Sequence, residues 1–311
     1  MKDFEFKHGG NIYSKALKLN LPVSEIIDAS ASIIPFETPN FIKEELYIDI
    51  KNNNFKHYPE IQNIELRNII GEFHNINPEY ILPGNGASEL ITWAAYIASK
   101  CGKSCLPIPG FVDYERALDC WDAEYIFHEL PRNNFSTKAQ EFPIKPKCKV
   151  LWITNPHNPT GQLWERRSLE KIINHYEMVI CDEAFLSITP KGEVNSLIPL
   201  IKKYKNLIII RSLTKLFGIP GLRIGYMVSS PNTLEKINKI RDPWPLNSFA
   251  ITAGKAIFKR KNLFNAFTKQ IHSWILFEKD FLFQKLSQIK DIKVYESAAN
   301  FFLMKSKDSL I

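Results

Sequence analysis

The sequence is poor in cysteine and has no long apolar run, and each shortage excludes a class of protein. Its 311 residues include five cysteines, an odd number without a Cys-x-x-Cys spacing. Cys101 and Cys105 have no matching His or Cys pair, so we expect no metal site and a reducing compartment. No stretch approaches the roughly 18 apolar residues of a membrane span, and the amino terminus lacks the apolar core of a signal peptide. These features predict a cytoplasmic protein that does not contact a membrane.

The chain has a small positive charge that is spread evenly along it. Forty lysines and arginines against 33 aspartates and glutamates give a net charge of +7. Because the basic residues form neither an arm nor a stripe, we expect small anionic ligands and no nucleic acid. The hydrophobic share of 45% and the charged share of 23% are typical of a globular enzyme. A chain of this length can fold as one large domain with a smaller one.

Short apolar runs alternate with helical patterns in the middle of the chain. The predicted strands are 104–108, 149–154, 177–182, 206–213 and 224–230. The predicted helices between them are 87–100, 111–121, 165–176 and 195–204. This alternation is typical of a mostly parallel sheet covered by helices on both faces.

The two ends of the chain are expected to form a second, smaller unit. We predict an arm and part of a small domain over residues 1–40, a large α/β domain over 41–243, and the rest of the small domain over 244–311. In that last region a helical pattern runs to about residue 288, and residues 292–306 alternate like two strands.

Polar side chains follow three of the predicted strands. Asp182 ends one strand, Asn155 and Asn158 follow another, and Lys215 follows a third. Since open parallel sheets bind ligands beyond the carboxyl ends of their strands, we expect these side chains to converge at one edge. Taken singly, each also has an ordinary interpretation as a cap, a turn residue or an exposed loop lysine.

A glycine-containing turn precedes the first predicted helix. In LPGNGASELI (82–91), the free amides near Ala87 and Ser88 suit a phosphate group. Ser212 and Arg223 could face the same phosphate. The pattern is neither a dinucleotide fingerprint nor a P-loop. A lysine near an acid, an asparagine and a phosphate site suits pyridoxal phosphate, whose aldehyde bonds to an amine.

Five motifs in this order resemble the fold type I pyridoxal-phosphate enzymes of the aminotransferase superfamily: YPE, GNGASE, NPHNPTG, CDEAF and SLTKLFGIPGLRIGY. The resemblance covers nearly the whole chain. It implies an α/β fold with a mostly parallel central sheet and a smaller α+β domain, here shortened at its carboxyl end. Within the superfamily, HGGN (8–11), DEAF in place of the usual DEAY, and DPWPLNSFA (242–250) favour the threonine-phosphate decarboxylases of cobalamin biosynthesis, relatives of the histidinol-phosphate aminotransferases.

The resemblance implies a role for each candidate residue. Lys215 would bind the cofactor as a Schiff base, Asp182 would pair with the pyridinium nitrogen, and Asn158 would donate to the phenolic oxygen. Phe111 would stack on the ring, although a plain core position is an equal alternative. Tyr58 would reach the site of the partner in a homodimer. The residues expected to hold the cofactor's phosphate are Gly86, Ala87, Ser88, Ser212 and Arg223.

The implied reaction is the removal of CO2 from L-threonine O-3-phosphate to give (R)-1-aminopropan-2-yl phosphate. Transamination begins in the same way, and the outcome depends on which Cα bond stands perpendicular to the ring. The family's substrate-anchoring arginines lie in a carboxyl-terminal segment beyond Ile311. Either the substrate site is incomplete, or other basic groups such as His8 or Lys305 replace them. Phe185 lacks the hydroxyl that many aminotransferases have there, which should make the phenolic oxygen more basic.

The sequence leaves three alternatives open. The first is an aminotransferase acting on histidinol phosphate or a similar amino substrate. The second is a non-catalytic relative that binds pyridoxal phosphate or a phosphorylated ligand. The third is a serine acyl hydrolase, because SLTK (212–215) also reads S-x-x-K, although the accompanying SDN and KTG motifs are missing and the motif follows a strand.

Overall fold

The computed structural model describes residues 9–131 and 135–306. In this part of the chain the helices are α1 (Ile12–Leu19), α2 (Asn40–Lys51), α3 (Ile64–His74), α4 (Gly86–Cys101), α5 (Asp113–Asp119), α6 (Arg166–Ile173), α7 (Thr214–Phe217), α8 (Pro231–Asn238), α9 (Ser248–Lys259) and α10 (Lys261–Ser287). The strands are β1 (Ile81–Gly84), β2 (Ser104–Ile108), β3 (Tyr125–Glu129), β4 (Val150–Thr154), β5 (Met178–Asp182), β6 (Leu207–Ser212), β7 (Gly225–Ser229), β8 (Ile292–Val294) and β9 (Met304–Ser306).

Seven strands form the central sheet in the order β1-β7-β6-β5-β4-β2-β3. All neighbouring pairs are parallel except those of β7, which runs antiparallel to both β1 and β6. The mostly parallel sheet predicted from the sequence is therefore confirmed. Because β7 is reversed, its amino end lies at the same edge of the sheet as the carboxyl ends of β1 and β6.

Two apolar layers cover the sheet. Alternate residues of one strand enter different layers, as with Ile208 and Ile210 on one face and Ile209 on the other. Helices α4, α5 and α8 pack on the first face, and helices α2, α3, α6 and α9 pack on the second. Coverage on both faces explains why strands β4 to β7 are continuous apolar runs that could be read from the sequence.

One predicted helix is wrong. Residues 195–204 contain one short 3₁₀ turn, Ile198–Leu200, in place of an α-helix. A second 3₁₀ turn, Gly192–Asn195, ends at the first residue of this range. Pro199 explains the difference, because its ring removes a backbone donor and disfavours a helical conformation at the residue before it.

The carboxyl-terminal part follows the predicted pattern with one interruption. The expected helical tract is two helices, α9 and α10, which meet at Arg260, where the backbone is not helical. The two strands predicted from the alternation in residues 292–306 are present as β8 and β9, and they pair antiparallel. The division of the chain into domains at residues 40 and 243 stays a prediction.

Among the helices of residues 9–131 and 135–306, none has the length and apolar character needed to cross a membrane.

Candidate active site

A cavity of about 310 Å³ opens where β4, β5 and β6 end. The strand-end residues Thr154, Asp182 and Ser212 all line it. The structure therefore brings together side chains that are far apart in the sequence. The predicted site residues that line this cavity are Ala87, Ser88, Phe111, Asn158, Asp182, Ser212, Lys215 and Arg223.

Asp182 is the acid of this cavity and is only 4% exposed. Its Oδ2 accepts a 2.8 Å hydrogen bond from the Tyr114 hydroxyl, and its Oδ1 accepts a 2.9 Å bond from the amide of Ala184. Burial raises the pKa of Asp182, while these two donors and the charge of Lys215 oppose that rise. The donors fix the carboxylate in one orientation, which suits it to face a protonated ring nitrogen.

Tyr114 is a site residue that the sequence did not reveal. It lies on α5, lines the cavity, and its hydroxyl is also 2.8 Å from Thr154 Oγ1. Thr154 donates in that contact, because the tyrosine proton goes to Asp182. An aromatic residue on a short amphipathic helix is usually interpreted as a core residue. Tyr114 does have that role, since its ring packs on Trp152 with the ring centroids 5.0 Å apart. No signal in one sequence separates the two roles.

Lys215 is the candidate nucleophile and lies in the short helix α7, directly after β6. It is partly buried, and its Nζ is 5.0 Å from the centroid of the Phe185 ring. Burial lowers its pKa, Asp182 acts in the opposite direction, and Arg223 lowers it further. A lowered pKa increases the share of neutral amine, the form that attacks a carbonyl group.

The start of α4 forms a concave surface suited to a phosphate group. Gly86 has φ of +75°, and a Cβ atom there would collide with the Arg223 guanidinium. Only glycine therefore allows the backbone and Arg223 to approach this closely. The first amides of this 16-residue helix also carry its positive dipole end. The residues present fit the phosphate of pyridoxal phosphate.

Two predicted phosphate ligands have other contacts in the cavity wall. Ser212 Oγ accepts a 3.3 Å hydrogen bond from the amide of Thr214. The Ser88 hydroxyl donates a 2.8 Å bond to Asp113 Oδ2, so its proton is already engaged. The predicted roles of both serines stay predictions.

The two asparagines of the NPHNPTG turn have different surroundings. Asn155 is fully buried and exchanges hydrogen bonds with the backbone of Trp164, at 2.9 Å to the amide and 3.1 Å to the carbonyl. It holds the turn together. Asn158 lines the cavity. Of the two, Asn158 is therefore the one placed to contact a ligand.

Of the remaining candidates, Phe111 lines the cavity, whereas Tyr58 and Lys305 do not. Phe111 lines the cavity and meets the Tyr114 ring edge-on, at 5.5 Å between centroids and 83° between planes. Tyr58 does not line it; this side chain is 80% exposed and packs on Trp244 with the ring centroids 4.6 Å apart. Lys305 is exposed on β9 and does not line the cavity. His8 lies outside the described residues.

The fold and this site match a known family. The chain belongs to the aminotransferase class I and II family, whose model matches residues 19–310. Membership confirms the resemblance read from the sequence, the fold type I α/β class, and an enzyme that depends on pyridoxal 5′-phosphate. It removes the support for the acyl hydrolase interpretation of Ser212 and Lys215.

Individual relatives carry two names. A putative threonine-phosphate decarboxylase from Caldanaerobacter subterraneus subsp. tengcongensis is 31% identical, over 99% of this chain and 80% of its own length. A histidinol-phosphate aminotransferase from Ruminiclostridium cellulolyticum is 30% identical, over 91% of this chain and 78% of its own. The crystal structure of L-threonine-O-3-phosphate decarboxylase from Porphyromonas gingivalis superimposes with a TM-score of 0.76 and 28% identity, over 89% of this chain and 81% of that one.

Proposed function

We propose that this protein removes CO2 from L-threonine O-3-phosphate and releases (R)-1-aminopropan-2-yl phosphate, the linker of cobalamin biosynthesis. The observation that carries the chemistry is the pairing of a partly buried Lys215 of lowered pKa with a buried Asp182 in one cavity. Similarity over nearly the whole chain to a putative threonine-phosphate decarboxylase supports the substrate.

Lys215 has two tasks in this proposal. When bound, pyridoxal phosphate supplies an electron sink for the pair released when a bond to the substrate Cα breaks. The neutral amine of Lys215 would react with the cofactor's aldehyde, with loss of water, and hold the cofactor until the substrate arrives. Lys215 Nζ, released and protonated when the substrate amine takes its place, would deliver that proton to Cα in place of the lost carboxyl group.

The other residues bind and orient. Asp182, in its ionised form, would pair with the ring nitrogen and keep that nitrogen protonated, while Tyr114 fixes the carboxylate. Asn158 donates to the phenolic oxygen, and Phe111 covers one ring face. The α4 amides, Ser212 and Arg223 would hold the phosphate, and Tyr58 of a second copy would complete the site in a homodimer. Location in the cytoplasm is part of the same proposal.

Transamination of histidinol phosphate is the second candidate. It is favoured by the 30% identity to a histidinol-phosphate aminotransferase. The same lysine and aspartate would serve both reactions, since both begin by weakening a bond to Cα. The difference lies in which bond to Cα stands perpendicular to the ring: the bond to the carboxylate in threonine phosphate, or the Cα–H bond in histidinol phosphate, which has no carboxylate.

Product analysis separates these possibilities. The protein, loaded with pyridoxal phosphate, is incubated with threonine phosphate, and in parallel with histidinol phosphate plus 2-oxoglutarate. We expect CO2 and the amino alcohol phosphate from the first mixture and no glutamate from the second. Glutamate without CO2 would overturn the decarboxylase in favour of the aminotransferase. Bound cofactor with neither product would indicate a non-catalytic relative.

A further inference from the structure

Asp113 is a buried carboxylate beside the candidate phosphate site that the proposed chemistry does not use. It is the first residue of α5 and is 1% exposed. Its Oδ2 accepts the 2.8 Å hydrogen bond from the Ser88 hydroxyl, in the first turn of α4. The side chain therefore connects α5 to the end of α4 that faces the cavity.

Arg116 neutralises this carboxylate and joins the same two helices. Its Nε pairs with Asp113 Oδ1, and its Nη2 is 3.2 Å from Oδ2. The same Nη2 donates a 2.9 Å bond to Thr92 Oγ1, and Thr92 in turn donates 3.1 Å to the Ser88 carbonyl oxygen. Both the side chain and the backbone of Ser88 are thus held from α5. A buried carboxylate next to an anion site is tolerable because its charge is paired.

The direction of the Ser88 hydrogen bond has a chemical consequence. A serine hydroxyl has one proton, and here that proton points to Asp113. The hydroxyl then presents lone pairs, not a donor, to any phosphate in the cavity. The backbone amides of the first turn remain as the donors.

We infer that Asp113 is a positioning residue for the cofactor. Through the Ser88 hydroxyl, and together with Arg116, Asp113 fixes the first turn of α4. The backbone amides of that turn then meet the phosphate of pyridoxal phosphate. The inference rests on the cofactor of the proposed function and is independent of the substrate. The donors of this site are backbone amides, and the direction of a backbone amide is set by the conformation of the main chain. Asp113 therefore contributes by holding the main chain of this turn in one conformation.

The test compares pyridoxal 5′-phosphate with pyridoxal, which lacks the phosphate. Dissociation constants of both are measured for the apo-protein, for Asp113→Asn and for Ser88→Ala. In Asp113→Asn, the amide oxygen turns to Arg116 and the amide NH2 faces Ser88, which reverses and weakens the bond. We expect either change to weaken binding of the phosphate form by about tenfold to a hundredfold, the worth of one charge-assisted hydrogen bond. Binding of pyridoxal should be unchanged.

Two further variants make the test specific. Because Asp113 acts through Ser88, the two substitutions should not add. The variant that carries both Asp113→Asn and Ser88→Ala should bind pyridoxal 5′-phosphate about as weakly as whichever single variant has the lower affinity. Asp119→Asn makes the same substitution at an exposed position of α5 and should bind as the native protein does.

The inference is overturned by any of three results. Equal weakening toward both ligands would mean that Asp113 only supports the pocket as a whole. Additive losses in the double variant would mean that it does not act through Ser88. Tighter binding in Asp113→Asn would mean that Asp113 competes with the phosphate for the serine proton. All three are independent of which substrate the enzyme accepts.

Discussion

The Tyr114 hydroxyl and Asp182 Oδ2 are 2.8 Å apart and are joined by a hydrogen bond in the wall of the candidate active site. The bond connects α5 to the end of β5. It supplies a donor to the acid proposed to face the cofactor ring, and it opposes the rise in pKa that burial imposes on that acid. The donor thereby extends the pH range in which Asp182 is ionised.

Tyr114→Phe removes this donor and leaves the ring in place. The pKa of Asp182 should then rise further, so that the carboxyl group becomes protonated at a higher pH. Because only the ionised form serves the ring nitrogen, we expect the acid limb of the turnover profile to move up by about one pH unit, from the typical worth of such a bond. Tyr125→Phe, the same change on β3 and away from the cavity, is the control. An acid limb that stays in place would contradict the role of Tyr114.

Lys215→Ala should abolish the visible absorption of lysine-bound cofactor. The phosphate site is untouched, so the variant should still bind pyridoxal phosphate, but reversibly and more weakly.

In the native protein the attachment rate should rise with pH around a midpoint below about 10.4, the ordinary lysine value, because burial lowers the pKa of this amine.

The control for that experiment is Lys239→Ala, at an exposed lysine on the surface whose partner is Glu235. It should keep both the absorption band and the attachment rate. Retention of the band in Lys215→Ala would exclude this lysine as the point of attachment.

Arg211→Met should destabilise the protein because it leaves a buried acid without its counter-charge. Arg211 is 3% exposed; its terminal nitrogens donate to the two carboxylate oxygens of Glu193, and its Nε is 3.1 Å from Oε2 of the fully buried Glu183. Burial raises the pKa of Glu183 to about 7, and Arg211 limits that rise. Removing one partner of a buried pair typically costs about 3–5 kcal/mol of the free energy of unfolding. Urea denaturation of the apo-protein measures this loss.

The loss should depend on pH in a definite direction. The folded-state pKa of Glu183 lies above its ordinary value of 4.5, so ionisation of this group opposes folding as the pH rises from 4.5 toward 7. Without Arg211 the pKa of Glu183 should rise further, so the variant loses additional stability above pH 7, where the native protein holds Glu183 ionised; the loss should be smallest near pH 5, where Glu183 is protonated in both proteins. Arg260→Met removes a surface partner of Glu45 and should cost about 0–1 kcal/mol. Equal losses in the two variants would refute the role of the buried pair.

Strands covered on both faces could be predicted from the sequence almost residue by residue. The bounds of β2 and of β4 to β7 were right to within one residue. The strands β1 and β3 were not predicted. β1 contains Pro83 and Gly84, which read as a turn, and β3 is a partly exposed edge strand without a continuous apolar run.

Site residues at the ends of strands could be predicted from the sequence. Site residues whose position depends on how two helices pack could not. Asp182 ends one recognisable strand and Lys215 follows another, so their convergence followed from the parallel sheet. Tyr114 reaches the cavity, and Asp113 reaches Ser88 in its wall, only because α5 packs beside α4 with one particular rotation. That rotation comes from tertiary packing, which no local pattern in one sequence specifies.

The reversed direction of β7 links the cofactor to the integrity of the whole sheet. Gly84 and Gly225 are in register, and Ser212 pairs with Gly225 from the other side, so three distant chain segments meet at the proposed phosphate site. No such meeting point exists in an unfolded chain. Pyridoxal phosphate that binds there favours the folded form by mass action, and the vitamin supply of the cell would then help to set how much of this enzyme persists.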